Sequence, residues 1–524
     1  MKPRRDLLWL FLLALAVRLA AAWPQHQPAY MDESYSVVVA QNLLAGRGFV
    51  EDFLWNYLDN PAPPPHPSHL YWMPLTSILA WLGMRLFGAG YSAAQIPFAL
   101  LSALLPLLAY RVTRHLGGDR RRAWLAGLLV IFSGFYFPYW TAVDNFTPFG
   151  LFAALALFLA WRGMDSPPPP PARPLLAFLA AGACAGLAHL ARADGPLLLA
   201  AIVPVWLTRR QPAARRWAGL GLLLAGYLLV MSPWLARSYR LTGALLPVAG
   251  SKTIWLTGYD DLFSYGRELS WRTFLAQGWG PILQGRWWAL TANLQTVLAV
   301  WGMVVLAPLA LAGGWTRRRH ALVQMVGLYA GLLFAVMTVV FAFPGARGGL
   351  FHSGAALLPF IAGLGVLGLD TVVAWAASRR RHWRAATASR VFGAGLVVLA
   401  VSLSLFIYNG RVLRNNAWNT ADRGYADLAR WVAARKPDAV VMVNNPPAYR
   451  YHGGGLSVVT PNEDVDTTLR AADRYGVDYL VLEPNHPAPL HPLYTRSADH
   501  PRLRLVKQFG GTLVFEILPP GGAP

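Results

Sequence analysis

Two neighbouring carboxylates, Asp32 and Glu33, stand in the stretch YMDESYSVVVAQNLLAGRGF, shortly after an apolar segment that begins near the initiator Met. Adjacent side chains on a helix or strand diverge, whereas a retaining glycosidase needs two carboxyls about 5 Å apart and facing each other. The pair therefore suits one catalytic base whose neighbour does structural work. A carboxylate opening the helix-like run ESYSVVVAQNLL is also a natural cap, so capping is the competing reading for Asp32. The same segment holds Glu51, Asp52, Asp59, His66 and His69 among Tyr and Trp. Ionisable groups against a membrane surface are costly unless solvated or paired, and Glu51, Asp52 and Asp59 read most simply as solvated.

The elements that position these groups follow from composition. Of 524 residues, 55% are hydrophobic and only 14% charged, which fits a membrane protein better than several soluble domains. A bilayer-spanning helix needs about 20 mostly apolar residues. Spans are expected near 7–23, 92–110, 123–140, 147–161, 175–190, 196–208, 217–235, 291–313, 321–343, 354–375 and 391–408, about eleven in all. With the N-terminus inside, the inner segments are the N-terminus, Arg111–Arg122, Arg162–Arg173, Arg209–Arg216, Arg317–Arg319 and Arg379–Arg390. They collect 22 Lys and Arg. This is the positive-inside pattern, so the net charge of +21 orients the chain in a bilayer and does not point to nucleic acid. Residues 1–408 then form a transmembrane domain with large outside loops at 24–91 and 232–290. The run Pro167–Pro171 reads as a stiff connector.

From Asn409 the pattern changes. ADLARWVAARK and DTTLRAADRYG are amphipathic-helix patterns, while AVVMV, VDYLVLE and GTLVFEIL read as strands. Residues 409–524 are expected to form a small α/β domain, on the same outer face as Asp32 if the span number is odd. The single cysteine, Cys184, excludes an intrachain disulfide, and a disulfide-free exported domain suits a prokaryote. The N-terminal KPRRD with the following apolar run also resembles a signal peptide; Arg18 and the later spans favour an uncleaved first span.

MDESYSVVVAQNLLAGRGF, followed by SHLYWMPLTSILAWLGMRLFG, YSAAQIPFALLSALLPLLAYRVTRHLGG and YWTAVDNFTPFGLF, resembles the GT-C glycosyltransferases, the protein O-mannosyltransferase and lipid A aminoarabinose transferase types above all. LARADGPLLL, MSPWLARSYRLTGALLP and RGGLFHSGAALLPF are similar to later landmarks, so the resemblance covers about the first 375 residues. It implies a polytopic GT-C-like helical fold and an inverting enzyme that moves a sugar from a polyprenyl-phosphate donor to a hydroxyl of a glycan, lipid or protein. It also implies that Asp32 is base or metal ligand and that Asp144 is the acidic residue of the second outside loop; Glu33 and Asp144 are the alternative places for the base. No cofactor is firmly implied; a divalent cation, Mg or Mn, is compatible. Where relatives carry an acidic residue before a proline-rich turn, this chain has HPSHLYWMPL, leaving His66 and His69 as substitute ligands or plain surface residues.

A departing polyprenyl phosphate needs its growing charge neutralised, and an Arg fork suits phosphate. Arg347 is the leading candidate, with His352 as a second donor. Arg237 and Arg240 follow, although Arg beside Trp234 and Tyr239 is also ordinary interfacial anchoring. Arg18 is expected to pair with a carboxylate of the Asp32 loop, Asp194 to cap the helix after Pro196, and Asp370 to pair within the bundle. The rival class is a transporter or flippase of lipid-linked sugars. Transporters carry ionisable groups at the bilayer midplane and often internal repeats, whereas these spans are poor in both.

Overall fold

The computed structural model describes residues 3–165, 172–380 and 383–519. The proline run 167–171 lies outside the described residues. The N-terminal helices are α1 (Pro3–Ala22), α2 (Met31–Leu44), α3 (Leu75–Phe87), α4 (Tyr91–Ser102), α5 (Leu105–His115), α6 (Arg120–Ile131), α7 (Phe146–Met164), α8 (Ala172–Ala191), α9 (Leu197–Leu207) and α10 (Ala213–Thr242). Long apolar helices follow over Ala321–Val340, Ala342–Ala377 and from Ala385.

Among the described residues, six helices are long and apolar enough to cross a membrane. The number rises to seven if Trp279–Trp301 and Leu306–Thr316, bent by 85° at their junction, count as one span. The sequence pattern predicts eleven. The difference has local causes. The first helix carries Arg4, Arg5, Asp6 and Arg18; α6 ends at Ile131, just before Gly134 turns the chain at φ +60°; and the apolar stretches Leu175–Ala191 and Leu197–Leu207 are short. The helix α3 lies within the stretch expected to be outside loop.

The bundle closes where small residues let backbones meet. A Cβ at Gly182 would fall 1.9 Å from the Leu223 carbonyl oxygen, and one at Gly226 would fall 2.0 Å from that of Leu179, so α8 and α10 cross at glycine contact distance. The core around them contains Trp140, Phe149, Trp161, Trp206 and Tyr329, all fully buried.

The tail folds around a six-stranded sheet whose first strand comes from elsewhere. In the first loop lie β1 (Val50–Glu51), β2 (Phe53–Leu54) and β3 (His66–Pro67); in the tail lie β4 (Val440–Val443), β5 (Ser457–Val459), β6 (Val477–Leu482), β7 (Leu503–Phe509) and β8 (Thr512–Ile517). The sheet order is β2-β5-β4-β6-β8-β7, with β2, β5, β4 and β6 parallel and the last two antiparallel. Helix Val465–Tyr475 shows how local chemistry sets a boundary: the Asp464 side chain accepts from the Thr467 N–H, and Gly476 ends the helix at φ +64°.

The strand β2 ties the loop carrying Asp32 to the tail. Asp52 Oδ2 accepts from Arg47 Nη1 at 2.8 Å and from Arg450 Nε at 3.1 Å, and Tyr475 donates to the Pro61 carbonyl at 3.1 Å. A sequence boundary at 408/409 therefore cuts through a shared sheet.

Candidate active site

The Asp32 side chain leaves the first turn of α2, whose N-cap residue, Tyr30, makes no side-chain cap bond. Among the described residues the Asp32 carboxylate makes no hydrogen bond to another side chain, and it lines a cavity of about 460 Å³. Glu33 points the other way. Its Oε1 accepts from the Tyr91 hydroxyl at 2.6 Å and the Val143 N–H at 3.0 Å, and its Oε2 accepts from the Ala29 N–H at 2.8 Å. One helix position thus faces a cavity while the next staples the first loop to α4 and to the turn before α7. Burial pushes the Glu33 carboxyl up to about 8 against the pull of these bonds.

Asp144 comes from that same turn and is 2% exposed. Tyr30 donates its hydroxyl to Asp144 Oδ2 at 2.9 Å, and the Asn145 N–H bonds Oδ1. Carboxylate oxygens of Asp32 and Asp144 and a ring nitrogen of His352 all lie within 4.8 Å of one another. Burial raises both carboxyls above the ordinary Asp range, Asp144 pushes Asp32 further up, and the Arg192 guanidinium opposes the rise.

Arg192, just past the end of α8, lines the same cavity. Its Nε donates to Ser353 Oγ at 2.8 Å and Asp194 Oδ1 at 3.1 Å, and its Nη1 donates to Asn145 Oδ1 at 3.2 Å. Asn145 Oδ1 also faces His352 Nδ1 at 2.7 Å. An amide oxygen with two such neighbours accepts from both, so His352 Nδ1 carries the proton and its Nε2 is the free nitrogen. Gly348, at φ +154°, leaves that nitrogen uncovered: even a Cβ there would stand only 3.6 Å from it.

Arg347 lines the same cavity, its guanidinium 4.9 Å over the Tyr259 ring, and forms no ion pair among the described residues. Tyr71 and Trp72 face it, and Met337, Phe341 and Pro344 give the cavity an apolar side. His189 adds a buried nitrogen. Its Nδ1 lies 2.6 Å from the Tyr227 hydroxyl, while Nε2 has no partner among the described residues and the residue lines the cavity.

The remaining sequence candidates lie elsewhere. Arg237 stacks on Trp234 at 4.5 Å and donates to the Ser68 carbonyl at 2.9 Å, pinning the first loop to α10; Arg240 is exposed and does not line the cavity. His69 uses both ring nitrogens, toward the Trp72 carbonyl and Ser77 Oγ at 3.1 Å each, and burial holds it down to about 3. His66 sits 3.3 Å from Glu51, its cross-strand partner in the β1–β3 pair. Neither histidine joins the carboxylate cluster, because the small sheet and the α3 junction consume them.

Two of the expected partnerships differ, while Asp370 does pair within the bundle. Arg18 donates to the carbonyls of Ile131 and Val130 at 2.9 and 3.1 Å, satisfying the open C-terminal end of α6 and not a loop carboxylate. Asp194 accepts from Ser353 and Arg192, and α9 has no side-chain cap. Asp370 pairs with Arg122, with Arg121 3.8 Å away. Sequence reasoning missed Arg192, Asn145 and His189. The signal for the first was the motif ARADG, in which a Cβ on Gly195 would fall 2.5 Å from the His189 Cα, so the turn after Arg192 requires glycine.

The sequence profile of the dolichyl-phosphate-mannose-protein mannosyltransferase family matches residues 65–236. The fold is similar to that of ArnT from Cupriavidus metallidurans in the apo state, with a TM-score of 0.61 and 16% identity over 98% of this chain and 98% of that chain. ArnT bound to undecaprenyl phosphate gives 0.61 and 15% identity over 100% of both. The oligosaccharyltransferase AglB of Archaeoglobus fulgidus, in complex with an inhibitory peptide and a dolichol-phosphate, gives 0.59 and 13% identity over 91% of this chain and 69% of that chain. No curated protein sequence matches significantly. The GT-C glycosyltransferase resemblance read from the sequence motifs is therefore present in the fold.

Proposed function

We propose that this chain is an inverting glycosyltransferase, taking its sugar from a polyprenyl-phosphate donor and working on the outer face of a prokaryotic cytoplasmic membrane. The observation that carries the reading is one cavity with two roles. Its lining includes Asp32, whose carboxylate lies within 4.8 Å of that of the buried Asp144, together with Arg192 and Arg347. A carboxylate whose affinity for protons is raised by burial is a better base near neutral pH. Forked cations lining the same cavity suit a phosphate that leaves with growing negative charge.

The step follows. Asp32 takes the proton of an acceptor hydroxyl, whose oxygen bonds to the anomeric carbon as the bond from that carbon to the phosphate oxygen breaks. The electron pair departs with the polyprenyl phosphate, which needs no proton to leave. Attack from the face opposite the phosphate inverts the anomeric centre. Among the described residues Arg347 has no competing ion pair, and it is positioned to bind the phosphate directly. Arg192 is shared with Asp194 and Ser353 and also orients Asn145 against His352. The apolar flank at Met337, Phe341 and Pro344 receives the first isoprene units.

The carboxylate pair also fits a hard divalent cation such as Mg or Mn, which oxygen ligands favour. Asp32 and Asp144 would hold it; its chemistry would be to neutralise phosphate charge. His352 Nδ1, donating to Asn145, is a hydrogen-bond group and not a ligand on that nitrogen. The tail, the eleven-span topology and the outer placement of both domains remain part of this proposal. Purified protein supplied with a labelled lipid-linked sugar should release polyprenyl phosphate. A transporter or flippase would move the same lipid without cleaving it, and that outcome would overturn the reading.

A further inference from the structure

A second cavity, of about 420 Å³, lies on the other side of His352. Its walls are aromatic: Tyr30, Tyr139, Phe146, Phe351 and Trp418. Tyr30 and Trp418 meet edge to face at 6.2 Å, Tyr139 and Trp418 are 6.0 Å apart, and Phe146 and Phe351 are 4.8 Å apart. His352 belongs to both cavities and stacks on Phe146 at 3.9 Å. The Tyr30 ring faces the second cavity while its hydroxyl bonds Asp144, so one phenol separates this space from the carboxylate pair.

The box is pre-formed by the tail connector. Asn415 and Asn416 adopt left-handed conformations, at φ +54° and +51°, and turn the chain back so that Trp418 comes to lie beside Tyr30. The connector is then fastened to the first loop: Trp418 Nε1 donates to the Gln27 carbonyl at 3.0 Å and Asn419 Nδ2 to the Pro24 carbonyl at 2.7 Å. Arg411 stands exposed among the lining residues, and no carboxylate pairs with it among the described residues.

Aromatic faces edged by hydroxyl and imidazole groups match a sugar ring, which has apolar C–H faces and a polar rim. Such a box would also attract a quaternary ammonium group, but the unpaired Arg411 guanidinium at its edge repels one. The same guanidinium favours a carboxylate or phosphate on the ligand. We propose that the second cavity is the acceptor subsite and takes a sugar unit bearing an anionic group. The acceptor hydroxyl reaches Asp32 past Tyr30 and His352. This inference rests on the transferase reading for its role and on the box alone for its ligand.

The test is ligand-detected saturation-transfer NMR on the full chain in lipid nanodiscs, with methyl glucuronide, methyl glucoside and choline as probes. Saturation of the sugar ring protons is expected, with the glucuronide bound about tenfold more tightly than the glucoside. Arg411→Ala, at an exposed position, should reduce the glucuronide to the glucoside level, and Tyr139→Ala should weaken both sugars. Equal binding of the two sugars, a preference for choline, or no effect of Arg411→Ala would overturn the proposal. Release of polyprenyl phosphate from a labelled donor is measured separately. Release without sugar binding sinks the subsite and leaves the transferase reading standing. Sugar binding without release, with the glucuronide preference lost in Arg411→Ala, upholds the ligand assignment and sinks the transferase reading.

Discussion

Carboxylate oxygens of Asp32, in the first turn of α2, and of Asp144, in the turn before α7, lie within 4.8 Å of each other, yet among the described residues only Asp144 is tied down by neighbours. A hydrogen-bonded carboxylate holds geometry; a free one can accept a proton. Asp32→Asn keeps size and removes the base, so turnover should fall by roughly 10² to 10⁴ with little change in melting temperature. A near-parental rate would move the base to Asp144.

The pH profile tests the pair from another side. The base must be ionised, and both carboxyls are raised above the ordinary Asp value of 3.8 by burial. The rate should therefore rise with pH through an acid limb well above that value. Asp144 contributes to the rise of Asp32. Asp144→Asn should accordingly shift the limb to lower pH in whatever activity remains. A cation held by both carboxylates would shift it in the same direction, so chelator treatment should move the limb upward. A limb at an unperturbed carboxylate value in the chelated parent protein would contradict the buried-pair account.

Glu33 supplies the contrasting prediction. Both its oxygens accept, and an amide at that position would turn an N–H toward one of its three donors. Glu33→Gln should cost about 1–3 kcal/mol, read as a lower melting temperature, with a smaller effect on turnover per folded molecule. Combined with Tyr91→Phe the losses should be less than additive, since the two share one hydrogen bond.

The division of labour between Asp32 and Glu33 was legible because adjacent positions on a helix must diverge. Arg347, chosen in the sequence for its fork, lines the same cavity as Asp32, and its phosphate role stays a proposal. Arg237 ranks lower in the sequence because Arg beside Trp234 is also an ordinary anchor, and the tertiary structure shows it stacked on that ring and bonded to the Ser68 carbonyl. Arg192 does not stand out in the sequence, because its partners Ser353 and Asn145 come from distant elements. The strand β2 could not be read at all. Two residues carry no periodicity, and its partner lies some four hundred positions downstream. Among the described residues fewer helices are long and apolar enough to cross a membrane than the eleven read from the sequence, because hydropathy measures composition and not where a helix ends or bends.

The arginines separate by what they touch. Arg347→Lys keeps the charge but loses the fork, so turnover should fall while the melting temperature holds. Arg237→Ala should do the reverse, lowering stability through the lost Ser68 contact and the Trp234 stack. An Arg347→Ala protein with unchanged turnover would leave Arg192 as the phosphate-binding residue.

His189 offers the most discriminating case. It is 1% exposed, lies at the cavity wall, and leaves Nε2 without a partner among the described residues. A buried polar nitrogen left unsatisfied is costly, which makes it a marker of a ligand that completes it. With an anion in the cavity, one tautomer satisfies every group: Tyr227 donates to Nδ1, and the Nε2 proton is donated to the anion. His189→Leu should therefore raise the KM for a polyprenyl-phosphate sugar by roughly ten- to hundredfold while kcat changes less. His189→Gln, which can place an N–H near the same point, should recover part of the loss. A purely structural role would show instead as a lower melting temperature in both variants with KM unmoved, and that result would remove His189 from the donor site.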